Sequence, residues 1–182
     1  MKPHVSNSGY LFLLFLTAIL ICSSFTSVED PDTNAKVKAI FLYNFSKHVE
    51  WPEAMATGRF KIGIYGTYPT LREELERMSK IKRRGDRSFE IIQFDRMDKI
   101  VPTHILFVVK NNANDLTRIS KQLKNSSTLL VTEEEGYIKK GAHINLYYEN
   151  NKQKMELNPS TFGDNGLKAS SQLVSISKVV NG

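Results

Sequence analysis

Cysteine is almost absent from this sequence, and its scarcity excludes several kinds of chemistry. The 182 residues contain one cysteine, Cys22, which lies at the end of an apolar N-terminal segment. Removal of that segment on export leaves a mature chain without cysteine, which excludes disulfides, thiolate metal sites and a cysteine nucleophile. Lipidation of Cys22 is a less favoured alternative, because the residue before a lipidated cysteine is normally small and Ile21 is not.

Familiar catalytic and metal-binding motifs are also lacking. The sequence has no HExxH helix, no GxSxG elbow, and no GxGxxG or P-loop spacing. Beyond the N-terminal segment it has His48, His104 and His143, none with a second ligand at the spacing of a zinc site. The acidic run 133–135 is interpreted as a charged turn. We therefore expect no metal, no cofactor and no catalytic residue, so the protein is predicted not to be an enzyme.

The N-terminal segment has the pattern of a secretory signal peptide. Residues 11–21 are apolar except for Thr17, and a short basic start precedes them. The run is shorter than the roughly 17–25 residues that span a bilayer, and small residues follow it. A buried core helix is less favoured, because the run has no polar face. We predict cleavage after Ser24 or Ser27 and periplasmic localisation, with a signal peptide over 1–27, a linker over 28–34 and one α/β domain over 35–182.

Positive charge is in excess, and it is concentrated in one segment. The formal net charge is +6, and residues 80–87 carry a cluster of lysines and arginines. Such a cluster can contact anionic partners. However, no aromatic residues are interleaved to stack on bases, and an exported protein meets little nucleic acid. We expect no nucleic-acid partner and interpret 80–87 as a solvated loop between two elements.

Hydrophobic periodicity predicts alternating helices and strands. The first helix follows N-capping residues at 32–34 and has an apolar stripe that includes Val37, Phe41 and Phe45. A second begins with the capping box formed by Thr70 and Glu73. Further helices are expected at 116–123 and 167–180. Strands are expected at 60–65, 89–94, 104–109, 128–132, 144–148 and 154–157.

The order of these elements predicts an α/β fold. Strands that alternate with helices give a single layered domain whose sheet is mixed and mostly parallel, with helices on both faces. The last two strands are close enough in sequence to form a β-hairpin around the turn 149–152. A final helix is expected to follow that hairpin at the C-terminus.

Three of the predicted strands end in residues suited to holding a small effector. Parallel strands place their carboxyl ends along one rim of a sheet, where ligands of such folds usually bind. The candidate effector-binding residues are Gly66, Thr67, Tyr68, Lys110, Asn111, Thr132 and Glu133. Ordinary surface turns are the alternative interpretation. The loop 66–70 also resembles, weakly, the hydroxyl-rich phosphate loop of flavodoxins, which leaves open a periplasmic ligand-binding domain.

Several motifs, in order and spacing, resemble the YfiR family of exported bacterial proteins. The leading motif is FLYNFSKHVEWP at 41–52. The similarity continues through KIGIYGT at 61–67, HILFV at 104–108, GYIKKGAHINL at 136–146, MELN at 155–158 and GLKASSQL at 166–173. The resemblance therefore covers almost the whole predicted exported chain.

The resemblance implies a signalling regulator that acts by protein–protein contact. A family member is a homodimer and restrains a membrane-bound diguanylate cyclase at its periplasmic side, until an outer-membrane, peptidoglycan-associated protein releases the restraint. The family also serves as a sensor module of signalling proteins, which makes a sensor kinase another expected partner. Redox control through disulfides is not carried over, because the predicted mature chain has no cysteine. Trp51 and Pro52, which end the leading motif, are the candidate partner-contact residues; closure of the core is the alternative role for Trp51.

Overall fold

The described chain consists of strands and helices that mostly alternate, as the hydrophobic pattern predicts. The computed structural model describes residues 32–150 and 152–180, and the predicted signal peptide lies outside these ranges. The helices in them are α1 (Asp32–His48), α2 (Pro69–Ile81), α3 (Leu116–Gln122), α4 (Pro159–Asp164) and α5 (Ser171–Ser175). The strands are β1 (Val49–Glu50), β2 (Phe60–Tyr65), β3 (Arg83–Arg84), β4 (Arg87–Phe94), β5 (Ile105–Val108), β6 (Leu129–Thr132), β7 (Ile144–Glu149), β8 (Lys152–Leu157), β9 (Lys168–Ala169) and β10 (Lys178–Val179).

The main sheet of the described ranges has eight strands in the order β10-β8-β7-β6-β5-β2-β4-β3. Strands β4, β2, β5, β6 and β7 pair in parallel, and β10 is parallel to β8. Strand β3 is antiparallel to β4, and β8 is antiparallel to β7. Strands β1 and β9 form a separate antiparallel pair. The prediction of a mixed, mostly parallel sheet is confirmed.

Helices cover both faces of this sheet. Every residue of β5 and β6 is buried, which requires packing on each side because successive side chains point to opposite faces. On one face, α1, α2, α4 and α5 contribute Leu42, Phe45, Leu71, Leu75, Phe162 and Leu173 to the core. On the other face, α3 and the 3₁₀ turn Tyr137–Lys140 contribute Leu116, Ile119 and Ile138. The predicted two-sided arrangement is confirmed.

Helix α1 is present, but it starts earlier than predicted, and the face that is buried matches the predicted apolar stripe only in part. It begins at Asp32, so residues expected to be linker and cap belong to its first turn. Ala35, Ala39 and Leu42 are buried against the sheet, whereas Ile40 is 49% exposed. The two alanines explain the difference. Small side chains allow a helix to pack closely, and Phe45 of the predicted stripe is buried together with them.

Helix α2 begins without the predicted capping box. The helix starts at Pro69, and Tyr68 occupies the N-cap position without a side-chain hydrogen bond to the first turn. The capping box expected from Thr70 and Glu73 is therefore wrong. Proline is favourable at the first helical position because its fixed φ suits the helix and its missing N–H would have no partner there.

The C-terminal segment is not the single helix predicted at 167–180. It forms β9, the short helix α5 and β10. The side-chain oxygen of Ser170 accepts a hydrogen bond from the Leu173 amide, which starts α5, and β10 then pairs with the edge of β8. Tertiary pairing thus overrides the apolar spacing. Helix α4 was not predicted, although Asn158 as a capping residue followed by Pro159 is a recognisable helix start.

The predicted hairpin is confirmed in β7 and β8. Leu146 pairs with Met155 and Glu149 pairs with Lys152, so both strands reach closer to the turn than expected. Asn150 in the turn has a φ of 51°, a left-handed conformation that asparagine tolerates. Within residues 32–150 and 152–180, none of the helices combines the length and the apolar character needed to cross a bilayer.

The tight packing around β2 leads to a stability prediction. A Cβ atom on Gly63 would lie 2.8 Å from the ring of Phe94 and 2.9 Å from a methyl group of Leu106. Gly63→Ala should therefore lower the free energy of unfolding by about 1–3 kcal/mol through overpacking. Urea titration followed by circular dichroism measures this. Gly163→Ala in α4 is the matched control, because nothing lies within 4 Å of its added Cβ. Equal stability of the two variants would contradict the packing argument.

Candidate functional site

The candidate site lies at the carboxyl ends of β2, β5 and β6. These strands are neighbours and run parallel, so the segments that follow them share one rim of the sheet. The seven candidate effector residues were selected from these segments. The structure brings Tyr68, Lys110 and Glu133 into one connected set of contacts. Whether this rim binds an effector stays a prediction.

A buried ion pair forms the centre of the rim. The Lys38 Nζ atom lies 2.7 Å from Glu133 Oε2, and the two side chains are only 9% and 11% exposed. Lys38 also donates a hydrogen bond of 3.3 Å to the Tyr68 hydroxyl, and its Nζ lies 5.1 Å from the centre of that ring. Burial acts to lower the pKa of Lys38, but the hydrogen bond and charge of Glu133, helped by Tyr68, outweigh burial and raise this pKa.

Lys38 is the central residue that sequence reasoning missed. It lies on α1, outside the strand ends from which the sequence predicts an effector site. A lysine at 38 between the buried positions 35, 39 and 42 could have indicated a charge on the sheet-facing side of the helix. However, its partner is 95 positions away in the sequence, at Glu133. Only the packing of α1 against the rim brings the two charges together.

A second charge pair and an open cavity adjoin this centre. The Lys110 amide donates to Glu133 Oε1 at 3.1 Å, and Lys110 Nζ lies 3.2 Å from Glu134 Oε2. The adjacent cavity has a volume of about 400 Å³, and its lining includes both ion pairs, Tyr148 and Gln153. In the described ranges, Gln153 Oε1 is buried and has no hydrogen-bond partner.

Other predicted rim residues have different surroundings. A Cβ on Gly66 would collide with the Asn112 side chain. Asn112 therefore fills the space beside this glycine, and that space is not open to a ligand. The positive φ of 102° at Gly66 also favours glycine. The Thr132 hydroxyl is fully buried and donates to Asn145 at 2.8 Å. Thr67 and Asn111 are exposed at the surface.

Trp51 closes one end of the core, which agrees with the structural alternative for this residue. Its indole N–H donates to the His104 carbonyl at 3.1 Å, and its ring meets Phe60 edge-on with centroids 5.0 Å apart. Trp51 and Pro52 are both only half-buried. Their remaining exposed surface is the part that a partner could contact, so the partner-contact role stays a prediction.

The basic cluster beside Trp51 is more ordered than the solvated loop that was expected. Arg83 and Arg84 form β3, and Arg87 begins β4. The Arg84 Nε atom donates to the Ser46 carbonyl at 2.6 Å, and its guanidinium lies 5.4 Å from the Trp51 ring. The interpretation as a loop is therefore wrong for these arginines. Arg83 donates to the Ser79 carbonyl in α2, and Arg87 donates to the carbonyls of residues 57–59, which precede β2.

His104 and His143 have the same structural role at two strand starts. The Nδ1 atom of His104 accepts a hydrogen bond from the Lys61 amide at 2.9 Å, and Nδ1 of His143 accepts one from the Leu130 amide at 3.0 Å. Each imidazole must be neutral to accept this bond. Burial lowers the pKa of each histidine to about 4. Within the described ranges, no group of three histidine, cysteine or acidic side chains is placed to bind a metal ion.

The fold and the rim define an α/β domain with an eight-stranded main sheet and two ion pairs at one rim of that sheet. Residues 35–178 match the model of the YfiR/HmsC-like family, so the chain belongs to that family. No curated protein matches the sequence. Proteins of this family are typically periplasmic and generally regulatory rather than catalytic, which supports a regulator of the diguanylate cyclase system in general.

The two buried histidines predict acid sensitivity. Their pKa is about 4 in the folded protein and about 6.5 in the unfolded chain, so between these values the unfolded state binds more protons. Stability should therefore fall as the pH decreases from 6.5 to 4, by up to about 1.4 kcal/mol per pH unit for each histidine. Urea titrations at pH 7 and pH 5 measure this fall. His104→Gln and His143→Gln should each lose less stability between pH 7 and pH 5 than the wild type. A loss equal to that of the wild type in both variants would contradict the assignment of this pH dependence to the two histidines.

Proposed function

We propose that this protein is an exported, non-enzymatic regulator that restrains a membrane-bound diguanylate cyclase by direct contact in the periplasm. The family match over residues 35–178 is the observation that carries this proposal. A related sensor kinase is the alternative membrane partner. The same proposal includes release of the restraint by an outer-membrane or peptidoglycan-associated protein. The exposed surface of Trp51 and Pro52 is the candidate contact for a protein partner.

We further propose that the rim binds a small effector that adjusts this regulation. The support is physical. Burying Lys38 and Glu133 costs desolvation energy that a hydrophobic pair would avoid, so a buried ion pair beside a cavity is better explained by recognition than by stability. The lining of the cavity includes charges of both signs and two tyrosines, Tyr147 and Tyr148. Such a lining suits a small zwitterionic or polar aromatic molecule.

A flavodoxin-like phosphate site in the loop 66–70 is the alternative function, and it has less support. The Gly66 amide already donates to the Phe94 carbonyl at 3.0 Å, and the Gly66 carbonyl already accepts from the side chain of Gln93. Asn112 fills the space that a phosphate would need next to this glycine. A stoichiometric phosphate-containing cofactor in the purified protein would nevertheless favour this alternative.

Deletion of the gene tests the main proposal. Loss of a restraint on a diguanylate cyclase should raise cellular cyclic-di-GMP, and mass spectrometry of cell extracts measures the change. Complementation with the wild-type gene is the control and should return the level to normal. An unchanged level in a strain that encodes a membrane-bound diguanylate cyclase beside this gene would contradict restraint of that cyclase.

Substitution at the rim tests the effector site separately. Tyr68→Ala combined with Lys110→Ala should impair regulation of cyclic-di-GMP in the complemented strain. Tyr68 also hydrogen-bonds Lys38 and packs against the core, so urea titration of the purified variant must show that it is folded. Tyr68→Phe combined with Lys110→Arg is the matched control, since it keeps the ring and the charge. If the alanine variant is stably folded and regulates normally, the rim is not the effector site, while the main proposal is unaffected.

A further inference from the structure

Two arginines lie directly opposite each other in the hairpin formed by β3 and β4. Arg84 pairs with Arg87 across the turn at Gly85 and Asp86. Because directly opposite residues of an antiparallel pair point to the same face, the two side chains are neighbours. Both guanidinium groups lie over the ring of Phe60, at 5.4 and 5.6 Å from its centre. The hairpin thus holds two positive charges together, an arrangement that like-charge repulsion disfavours.

Within residues 32–150 and 152–180, this pair is not neutralised by an acidic side chain. Neither arginine forms a salt bridge in those ranges. Burial lowers the pKa of Arg84, and burial together with the charge of Arg84 lowers the pKa of Arg87. Both side chains still carry their charge at neutral pH, because arginine is not deprotonated in proteins. The described part of the chain therefore leaves two positive charges without a counter-ion.

Arg84 also keeps most of its hydrogen-bonding capacity. Its Nε atom donates to the Ser46 carbonyl at 2.6 Å, whereas its two terminal nitrogens donate to no residue of the described ranges. Arg87, by contrast, uses Nε and Nη2 on the carbonyls of residues 57–59. Arg87 is therefore held in place, and Arg84 presents a planar pair of N–H donors. A planar fork of this kind matches the two oxygens of a carboxylate.

The surface beside Arg84 is aromatic and partly accessible. The Arg84 guanidinium lies 5.4 Å from the centre of the Trp51 ring, and Trp51 and Pro52 are half-buried. Tryptophan and arginine are the residue types that contribute most often to the energy of protein–protein contacts. Glu50 and Glu53 flank this pair in the sequence and are exposed. An anionic bilayer would repel those carboxylates, whereas a single acidic side chain of a protein can contact Arg84 alone.

We propose that Arg84 and Arg87 bind a carboxylate on an acidic segment of a protein partner, with the exposed part of Trp51 packing beside it. The inference rests on the proposed regulation by protein contact, and it names the chemistry of the partner surface. The carboxylate accepts a bidentate pair of hydrogen bonds from the terminal nitrogens of Arg84. The charge of Arg87 strengthens its binding, and the carboxylate supplies the missing counter-ion.

Fluorescence of Trp51 tests the site directly, because this is the only tryptophan in the sequence. A triglutamate peptide should shift the emission in a saturable way, and triglutamine should not. Arg84→Gln should raise the dissociation constant of triglutamate at least about tenfold. Arg83→Gln is the matched control, since it removes the same charge from the opposite face of β3, and it should change the constant by less than about twofold. No saturable shift in the wild type, or equal weakening in the two variants, would overturn the proposal.

A second variant separates recognition from folding. Arg84→Lys keeps the charge and a donor for the Ser46 carbonyl, but it lacks the planar fork. Urea titration should show that this variant is folded, and its dissociation constant for triglutamate should be at least about threefold higher than that of the wild type. Wild-type affinity in Arg84→Lys would overturn the bidentate contact.

Other anions are tested at the same ionic strength. Inorganic phosphate should bind more weakly than triglutamate, and vesicles that contain phosphatidylglycerol should bind the wild type and Arg84→Gln equally. Tighter binding of phosphate, or vesicle binding that Arg84→Gln abolishes, would overturn the assignment to a carboxylate of a protein.

Regulation in cells distinguishes this inference from the proposed function. A strain that lacks the gene is complemented with Arg84→Gln or Arg83→Gln at equal protein levels. Cyclic-di-GMP should stay at the level of the deletion strain with Arg84→Gln and return to normal with Arg83→Gln. Normal regulation by Arg84→Gln would overturn the role of the arginine pair and leave the main proposal intact. If the deletion itself changes nothing, the main proposal fails, and the triglutamate titration still decides whether the pair binds a carboxylate.

Discussion

The need to cover both faces of the central parallel strands is the constraint on which the rest of the structure depends. Strands β5 and β6 are buried throughout, so helices must lie on each side of them. Parallel strands with helical connections return the chain to the same end of the sheet each time. The segments after β2, β5 and β6 therefore meet along one rim, and α1, which covers one face, brings Lys38 to that rim.

Buried polar groups in this domain fall into two kinds. His104 and His143 each accept a backbone N–H from a neighbouring strand, so their burial is explained by the hydrogen bonds that they satisfy. The pair of Lys38 and Glu133 is different, because it lies next to an open cavity and to further polar atoms. The chain belongs to a family that is generally regulatory, which is consistent with the proposal that this pair takes part in binding.

Local patterns in the sequence determined the class of fold, the main strands, the hairpin and the choice of rim segments. Continuous apolar residues at 105–108 match the burial of every residue in that strand. Residues 60–65 alternate in the sequence, yet five of the six are buried in the structure. Tertiary structure decided the rest. The pairing of Lys38 with Glu133, the filling of the space at Gly66 by Asn112, and the division of the C-terminal segment into α5 and β10 all depend on residues distant in sequence. A local pattern indicates which residues are buried, but it does not indicate which distant residues they contact.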